Sequence, residues 1–250
     1  MRDGLCEPIV RGGLQVSVEA FLLVEIDRAT VALRRYRSTR YTPDHQPIHE
    51  PCPKMPGEYS YHDASMDLGT FPLMPVTPTD DEPWRDRVLV IEGLTIDSKG
   101  DHWSHDDYRW PARCACGYVF VDDDKWQVSW HPLWKRADGA AGEWSLRDAP
   151  PGAIWNATWM GDFARGKDGR CLVAKLPNGH DWMIDGPASN CTMQGEKTHR
   201  CWIRHGEPPK LTVDKNAGTE DASAPTTCAA GAGSIASGDY HGFLQGGVFT

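Results

Sequence analysis

The sequence predicts a mainly β protein, an antiparallel β-sandwich or barrel-like domain with few short helices. Short apolar runs of strand length alternate with turn residues along the second half of the chain. Apolar residues with helical spacing over about 11 positions are hard to find. Because 40% of the 250 residues are hydrophobic, the chain can bury a core. We predict an N-terminal β segment at 1–37, a Pro-rich extended connection at 38–83 and a Trp-rich β-domain at 84–250.

The first segment contains two stretches with strand-like composition. Leu14–Ile26 and Thr30–Tyr36 interleave Val, Phe and Leu with Glu and Arg. The part from Val16 to Phe21 alternates in part, as a half-buried strand does. Between the two stretches, Glu25–Arg28 is a candidate turn.

The second segment is dominated by proline. Nearly half of the 19 prolines lie between Pro43 and Pro83, and proline fixes φ and lacks a backbone N–H. This span is therefore expected to contain no long helix and no central strand. It also carries potential metal-ligating side chains, namely His45, His49, Cys52 and His62.

The third segment begins with a plain strand at Arg87–Ile91. Two hairpins follow in the prediction: Gly117–Val121 with Trp126–Trp130, and Cys171–Leu176 with Asp181–Ile184. The connection between the two strands of the second hairpin contains Asn178-Gly179, a dipeptide typical of tight hairpin turns. Further short strands are expected at Cys201–Arg204, Leu211–Val213 and His241–Leu244.

One short helix is predicted at Pro151–Phe163, because Pro150-Pro151 precedes it and proline is favoured in the first turn of a helix.

Composition excludes some classes of protein. The net charge of −9 argues against a generic nucleic-acid coat and suits a basic protein partner. No apolar run reaches the length of a membrane span, and Glu19 and Glu25 interrupt the best candidate for a secretory leader. We expect the protein to stay in the cytosol unless lysis or assembly carries it outside. In the cytosol, the 8 cysteines would be free thiols or metal ligands.

The first candidate metal site has the spacing His102-x2-His105-x8-Cys114-x-Cys116. Zinc prefers four nitrogen or sulfur ligands in a tetrahedron, and two ligand pairs on one loop would meet that preference. The pair Cys114 and Cys116 is one residue closer than the usual C-x2-C. The alternative interpretation is two exposed histidines and two buried cysteines.

The second candidate site comprises Cys191, His199, Cys201 and His205. Four ligand-type residues within 15 positions is a dense grouping for a chain with only 18 Cys and His residues in total. His199 and Cys201 would share a face of a strand. The alternative is a core cysteine at position 201 flanked by surface histidines.

The 11 tryptophans have two interpretations. Trp126 and Trp130 would share one strand face and could form a core layer. They could equally form an aromatic platform for a sugar or an unstacked base.

Short motifs stand out in the later part of the chain, namely Ser234-Ile235 followed by Tyr240–Leu244 and Gly246, and the stretches Asp107–Phe120 and Leu146–Trp155. In these motifs the chain resembles small uncharacterised proteins of bacteriophages and actinobacteria. The resemblance covers about residues 100–250 and implies a phage or actinobacterial origin and a compact β fold, without an activity.

Together these observations predict a zinc-stabilised binding module of phage type, an accessory or virion-associated protein whose partner is another protein. The alternative is a metal-dependent, hydrolase-like enzyme with His199, His205 and His241 near an open site and Asp239 as a nearby carboxylate. A closed site with four protein ligands would favour the first function. A site with three ligands and a water molecule would favour the second.

Overall fold

The computed structural model describes residues 17–38, 50, 52–54, 60–77, 87–92, 94–96, 103–161, 164–188, 191, 201–214 and 234–250. Across these ranges the secondary structure consists of 16 strands. The predicted mainly β fold is confirmed, and no sheet closes on itself within the described ranges. No helix in these ranges is long and apolar enough to cross a membrane.

The strands, in chain order, are β1 (Val18–Glu19), β2 (Phe21–Ser38), β3 (Tyr61–Pro75), β4 (Arg87–Ile91), β5 (Leu94–Ile96), β6 (Lys125–Arg136), β7 (Glu143–Trp144), β8 (Ala153–Asn156), β9 (Leu172–Lys175), β10 (Asp181–Met183), β11 (Ile203–His205), β12 (Thr212–Asp214), β13 (Ile235–Ser237), β14 (Tyr240–Gly242), β15 (Leu244–Gln245) and β16 (Val248–Phe249).

The chain divides into two compact units. Unit 1 comprises residues 1–24, 136–140 and 149–250, and unit 2 comprises residues 25–135 and 141–148. These limits differ from the three predicted segments. The long strand β2 starts in unit 1 and continues into unit 2, passing without a break through the candidate turn at Glu25–Arg28.

Unit 1 contains a sheet with the order β1-β16-β15-β12-β11, a separate β13-β14 pair, and a β10-β9-β8 sheet. The start of β2 joins the last sheet as a parallel neighbour of β8. Their apolar faces share one core, in which Ile154, Leu172, Leu211 and Phe249 are fully buried.

The hairpin predicted around Asn178-Gly179 is present as β9 and β10, which pair from Asp181↔Lys175 to Met183↔Val173. Gly179 has φ +82°, a conformation that glycine adopts without a steric penalty. The helix predicted at Pro151–Phe163 is wrong. Its first half is a turn followed by strand β8, because three consecutive residues from Ala153 are buried, which a strand with neighbours on both edges provides.

Unit 2 is organised around β2, which pairs with β3 on one side and β6 on the other. The β2–β3 ladder runs from Arg28↔Pro72 to Ser38↔Tyr61. Strands β4 and β5 extend the sheet beyond β3, and β7 pairs with β6. Leu33, Leu89 and Ile91 lie in its core.

Part of the predicted Pro-rich connection is a central strand. Within 38–83, Tyr61–Pro75 forms β3, which has a partner along each edge. Pro72 is the last residue paired with β2, and Leu73 is the innermost residue paired with β4. Proline fits there because the change of partner leaves a position at which a missing N–H costs little.

The predicted hairpin at Gly117–Val121 and Trp126–Trp130 forms only on its second side, as part of β6. The first side makes a single bridge, Arg113↔Val119, within its own loop. The Asp124 carboxylate stabilises the turn between these two segments by accepting a hydrogen bond from the Val121 N–H at 2.8 Å. The loop from 112 to 120 therefore folds back on itself, which places its two cysteines.

Most of the later tryptophans lie in the cores, as the first interpretation of them requires. Trp155, Trp182 and Trp202 are buried, and Trp126 and Trp130 pack against the unit 2 core. Trp159 is the exception among these, with 63% of its surface exposed.

Candidate metal centre

Four potential metal ligands converge in unit 2: Cys52, His62, Cys114 and Cys116. One donor atom from each lies within 4.8 Å of all the others. The Sγ atoms of Cys52 and Cys114 are 3.9 Å apart, and His62 Nδ1 lies 3.2 Å from Cys116 Sγ. A tetrahedral ion with sulfur bonds of about 2.3 Å has edges of about 3.8 Å. The group therefore has the dimensions of a tetrahedral site.

Cys52 is held beside β3 by hydrogen bonds to Ser60. Its backbone N–H donates to Ser60 Oγ at 2.7 Å, and that hydroxyl donates to the Cys52 carbonyl at 3.4 Å. Ser60 is 2% exposed, so both bonds are shielded from water. Because Ser60 directly precedes β3, these bonds hold Cys52 next to the start of that strand.

His62, the second residue of β3, is oriented by a backbone carbonyl. Its Nε2 lies 3.1 Å from the Glu50 carbonyl oxygen. A carbonyl can only accept, so Nε2 carries the proton and the lone pair is on Nδ1. Nδ1 is the atom that faces Cys116. Metal-binding histidines are commonly held in this way, with the second ring nitrogen donating to a carbonyl or carboxylate.

Tyr118 packs flat against the His62 ring. The ring centroids are 4.1 Å apart with 13° between the planes. The Tyr118 hydroxyl accepts from Arg37 at 2.7 Å and donates to Asp124 at 3.2 Å. The stack and these bonds restrict rotation of the imidazole.

Cys114 and Cys116 lie on a tight turn that ends at Gly117. The Gly117 N–H donates to the Cys114 carbonyl at 2.9 Å, and the Cys114 N–H donates to the Tyr118 carbonyl at 2.9 Å. Gly117 has φ +99°, in the left-handed region that favours glycine. Because of this turn, the sulfur atoms of both cysteines point to one place, although the C-x-C spacing is one residue shorter than the usual C-x2-C.

The environment favours a thiolate at Cys114. Burial alone raises the pKa of this thiol, but hydrogen bonds from the backbone N–H groups of Cys116 and Asp63 and from the Cys116 side chain outweigh it. The pKa falls to about 6. Burial raises the pKa of Cys52, and its neighbouring thiols raise it further. A thiol with this pKa is mostly deprotonated at neutral pH, so Cys114 is charged there. The thiolate is also the form that binds metal ions.

The group is shielded from solvent. Cys52, His62 and Cys114 are 1%, 5% and 7% exposed, and Cys116 is partly exposed. Cys52, Cys114 and Phe120 form a small apolar cluster of their own. Three sulfurs and one imidazole nitrogen in such surroundings could hold a metal ion.

The first candidate site from the sequence is brought together in part. Cys114 and Cys116 are in the group, whereas His105 is not. His105 instead stacks on Trp126, with 4.6 Å between ring centroids and 9° between planes. Stacking gives that imidazole a partner without a metal. His102 lies outside the described residues.

The second candidate site lies in unit 1. Cys191 and Cys201 are buried in its core, and Cys201 Sγ accepts the Ala188 N–H at 3.1 Å. His205 is on β11, and its Nε2 is buried without a hydrogen-bond partner among the described residues. His199 lies outside those residues.

Sequence reasoning noticed Cys52 and His62 but did not connect them with Cys114 and Cys116. The pair Cys52-x9-His62 is followed, after 51 intervening residues, by Cys114-x-Cys116, so the sequence contains two ligand pairs. Only the β2–β3 pairing and the turn at Gly117 bring the pairs together, and neither follows from spacing.

Comparison with known proteins gives no relative for this chain: no family model matches it, and no curated protein and no solved structure matches it.

Proposed function

We propose that this protein is an interaction module whose fold is stabilised by one zinc ion bound to Cys52, His62, Cys114 and Cys116. The observation that carries the proposal is the convergence of four shielded donor atoms within 4.8 Å. Structural zinc sites have four protein ligands in a tetrahedron, and Cys3His is one of their usual compositions. Catalytic zinc sites keep one position open for water or substrate.

The protonation states of the ligands support this assignment. The lowered pKa of Cys114 supplies one thiolate before metal arrives. The Glu50 carbonyl leaves the Nδ1 lone pair of His62 available. A metal ion would in turn offset the cost of burying sulfur charge at Cys52 and Cys114.

Charge and the sequence resemblance support the setting. The net charge of −9 favours a basic protein surface as the partner over nucleic acid. The resemblance of residues 100–250 to bacteriophage proteins supports an accessory or virion-associated role, in the host cytoplasm or in the particle.

Elemental analysis of protein purified without chelators tests the metal. We expect one zinc ion per chain in the wild type, and loss of zinc with a lower Tm in Cys114→Ser and His62→Gln. Cys171→Ser is the matched control, because Cys171 is fully buried and lies in unit 1. Metal-free wild-type protein, together with an unchanged Tm in Cys114→Ser, would overturn the proposal.

Cobalt substitution separates the structural role from the catalytic alternative. With four protein ligands, Co2+ should give tetrahedral thiolate spectra that added azide or imidazole does not change. A spectrum that shifts on addition of azide would indicate an open position and would favour a metal-dependent enzyme instead.

A further inference from the structure

We propose that the metal centre is a peroxide-sensitive switch, in which oxidation releases zinc and leaves a disulfide between Cys52 and the turn that carries Cys114 and Cys116. The switch rests on the zinc site of the proposed function and concerns its regulation. All three sulfur atoms lie within 4.8 Å of one another, and those of Cys52 and Cys114 are 3.9 Å apart. Thiols this close can form a disulfide when an oxidant reaches one of them.

Cys116 is the ligand that an oxidant in solution reaches first. It is partly exposed, whereas Cys52 and Cys114 are 1% and 7% exposed. The susceptibility of a cysteine to oxidation increases with its exposure. The other two thiols lie behind Cys116, within the small apolar cluster that includes Phe120. Hydrogen peroxide, a small neutral oxidant, is therefore expected to attack at Cys116.

The oxidation takes two steps and consumes one molecule of hydrogen peroxide. The Cys116 sulfur attacks one peroxide oxygen, the O–O bond breaks, and the departing hydroxide takes a proton and becomes water. This step leaves a sulfenic acid on Cys116. The Cys52 sulfur then attacks the Cys116 sulfur, the S–O bond breaks, and the hydroxyl group takes a proton and leaves as a second water. The two cysteines lose two electrons in total, and the peroxide gains them.

Thiol–disulfide exchange with Cys114 keeps the bridge between the same two segments. The Cys114 sulfur is in reach of the Cys52 sulfur, so it can displace Cys116 from Cys52, one S–S bond forming as the other breaks. Either bridge joins Cys52 to the turn. A bridge between Cys114 and Cys116 would instead close a very small ring, and closures of such short, stiff segments are unfavourable.

The disulfide would replace the metal as the link between the two segments. With two sulfurs in a disulfide, only one cysteine and His62 remain as ligands, too few for a structural zinc site. The disulfide carries no charge, so it suits the apolar surroundings that Phe120 provides. His62 is still held by the Glu50 carbonyl and the Tyr118 ring. Oxidised protein should therefore keep stability that chelation of the zinc removes.

Titration of the zinc-loaded full chain with hydrogen peroxide tests the switch. Elemental analysis first establishes the zinc content of the untreated protein. A chromophoric zinc indicator then follows release of the metal as peroxide is added. We expect peroxide to release the zinc, and a thiol reductant together with added zinc to restore the original content.

Peptide mapping identifies the bridge. Trypsin cleaves after Lys and Arg, so Cys52 lies in the peptide 41–54 and both cysteines of the turn lie in the peptide 114–125. We expect mass spectrometry of the oxidised, unreduced protein to find these two peptides joined. Reduction should separate them.

The melting temperature supplies a further readout. We expect peroxide-treated wild type to have a Tm nearer to that of the zinc-loaded protein than to that of the chelated, reduced protein. Cys52→Ser removes one end of the bridge, so peroxide should not raise its Tm above that of its metal-free, reduced form. Cys171→Ser is the matched control, because Cys171 is buried in unit 1, and it should behave as the wild type does.

Four results would overturn the switch: zinc that stays bound while peroxide is consumed, a bridge confined to the peptide 114–125, a sulfinic acid that a thiol does not reduce, or an oxidised protein that melts with the chelated one. Each of them leaves the zinc site standing, because the zinc content of the untreated protein is measured separately. Untreated wild type without zinc overturns the proposed function, and the switch with it.

Discussion

The imidazole of His62 lies parallel to the phenol ring of Tyr118, with 4.1 Å between the ring centroids. The same imidazole is bonded through Nε2 to the Glu50 carbonyl. Ring orientation is thus set by one contact on its face and another at its edge, before any ion is present. The orientation of this candidate metal ligand therefore depends on Tyr118 and Glu50, which are not among the four candidate ligands.

Replacing Tyr118 should therefore weaken metal binding without removing a ligand. We expect Tyr118→Leu, which deletes the stacked ring, to lower zinc affinity at least tenfold, since partners of ligating histidines are commonly worth about 10–100-fold. Competition with a chromophoric chelator measures this. Tyr118→Phe keeps the ring and should lose less. If both variants bind zinc as tightly as the wild type, the stack does not orient His62.

Gly117 should be required for its backbone conformation alone. A Cβ at this position would meet no atom within 4 Å, but φ is +99°, which costs an L-residue about 1–3 kcal/mol. Gly117→Ala should reduce both zinc affinity and Tm. Gly169→Ala, with φ +77° and equally open space in unit 1, is the control: it should lower Tm but leave zinc affinity unchanged.

Stability of the metal-free protein should depend on pH through Cys114. The folded state lowers the pKa of this thiol from 9.0 to about 6, so the unfolded chain binds more protons between those values. The free energy of unfolding should therefore rise as the pH increases from about 6 to about 9, and the contribution should disappear as the pH falls through 6. Chemical denaturation at several pH values measures it.

The opposite sign applies to Cys52, whose pKa is raised by burial. Its contribution is present below the ordinary thiol pKa and is lost as the pH rises above it.

Two variants test the assignment to Cys114. Cys114→Ser should remove the rise in the free energy of unfolding between pH 6 and 9, whereas Cys171→Ser should retain it. A rise of equal slope in Cys114→Ser would mean that another group is responsible.

In unit 1, Arg204 should be the most sensitive member of the ion-pair network that it forms with Asp168 and Asp185. Arg204→Leu removes the guanidinium that bonds both oxygens of Asp185, a residue only 7% exposed, and breaking a buried pair in this way costs about 3–5 kcal/mol. Denaturant unfolding should show a large loss of stability. Arg136→Leu breaks the pair with Asp138, whose side chain is 53% exposed, and should cost much less, because solvent screens exposed pairs.

The parts of the fold that followed from sequence are those set by local rules. The hairpin at Asn178-Gly179 was predictable because a turn dipeptide sits between two apolar runs. The strand at Arg87–Ile91 was predictable from composition, and the structure contains it with the same bounds. Alternation and turn chemistry act within a few residues, so they can be identified in a single chain.

The parts that escaped prediction depend on distant partners. The missing N–H of proline does restrict where Pro72 can lie in a sheet, and it lies at the end of the pairing with β2. Whether Tyr61–Pro75 forms a strand at all depends on β2, which supplies 11 paired residues. The four candidate metal ligands likewise comprise one pair that precedes β4 in the sequence and one pair that follows β5. Local spacing suggested His105 as a partner for Cys114 because it was near in sequence, whereas Trp126 gives that imidazole a better neighbour.

The separation of the two ligand pairs along the chain has a consequence for the unfolded state. Cys52 and Cys114 are 62 positions apart, so a metal ion held between them would act as a removable cross-link across a quarter of the chain. On the chain-entropy model, closing a loop of this length lowers the conformational entropy of the denatured ensemble and so destabilises it by about 4 kcal/mol. Chelation would restore this entropy to the unfolded chain. The stability of unit 2 would therefore depend on the concentration of available metal.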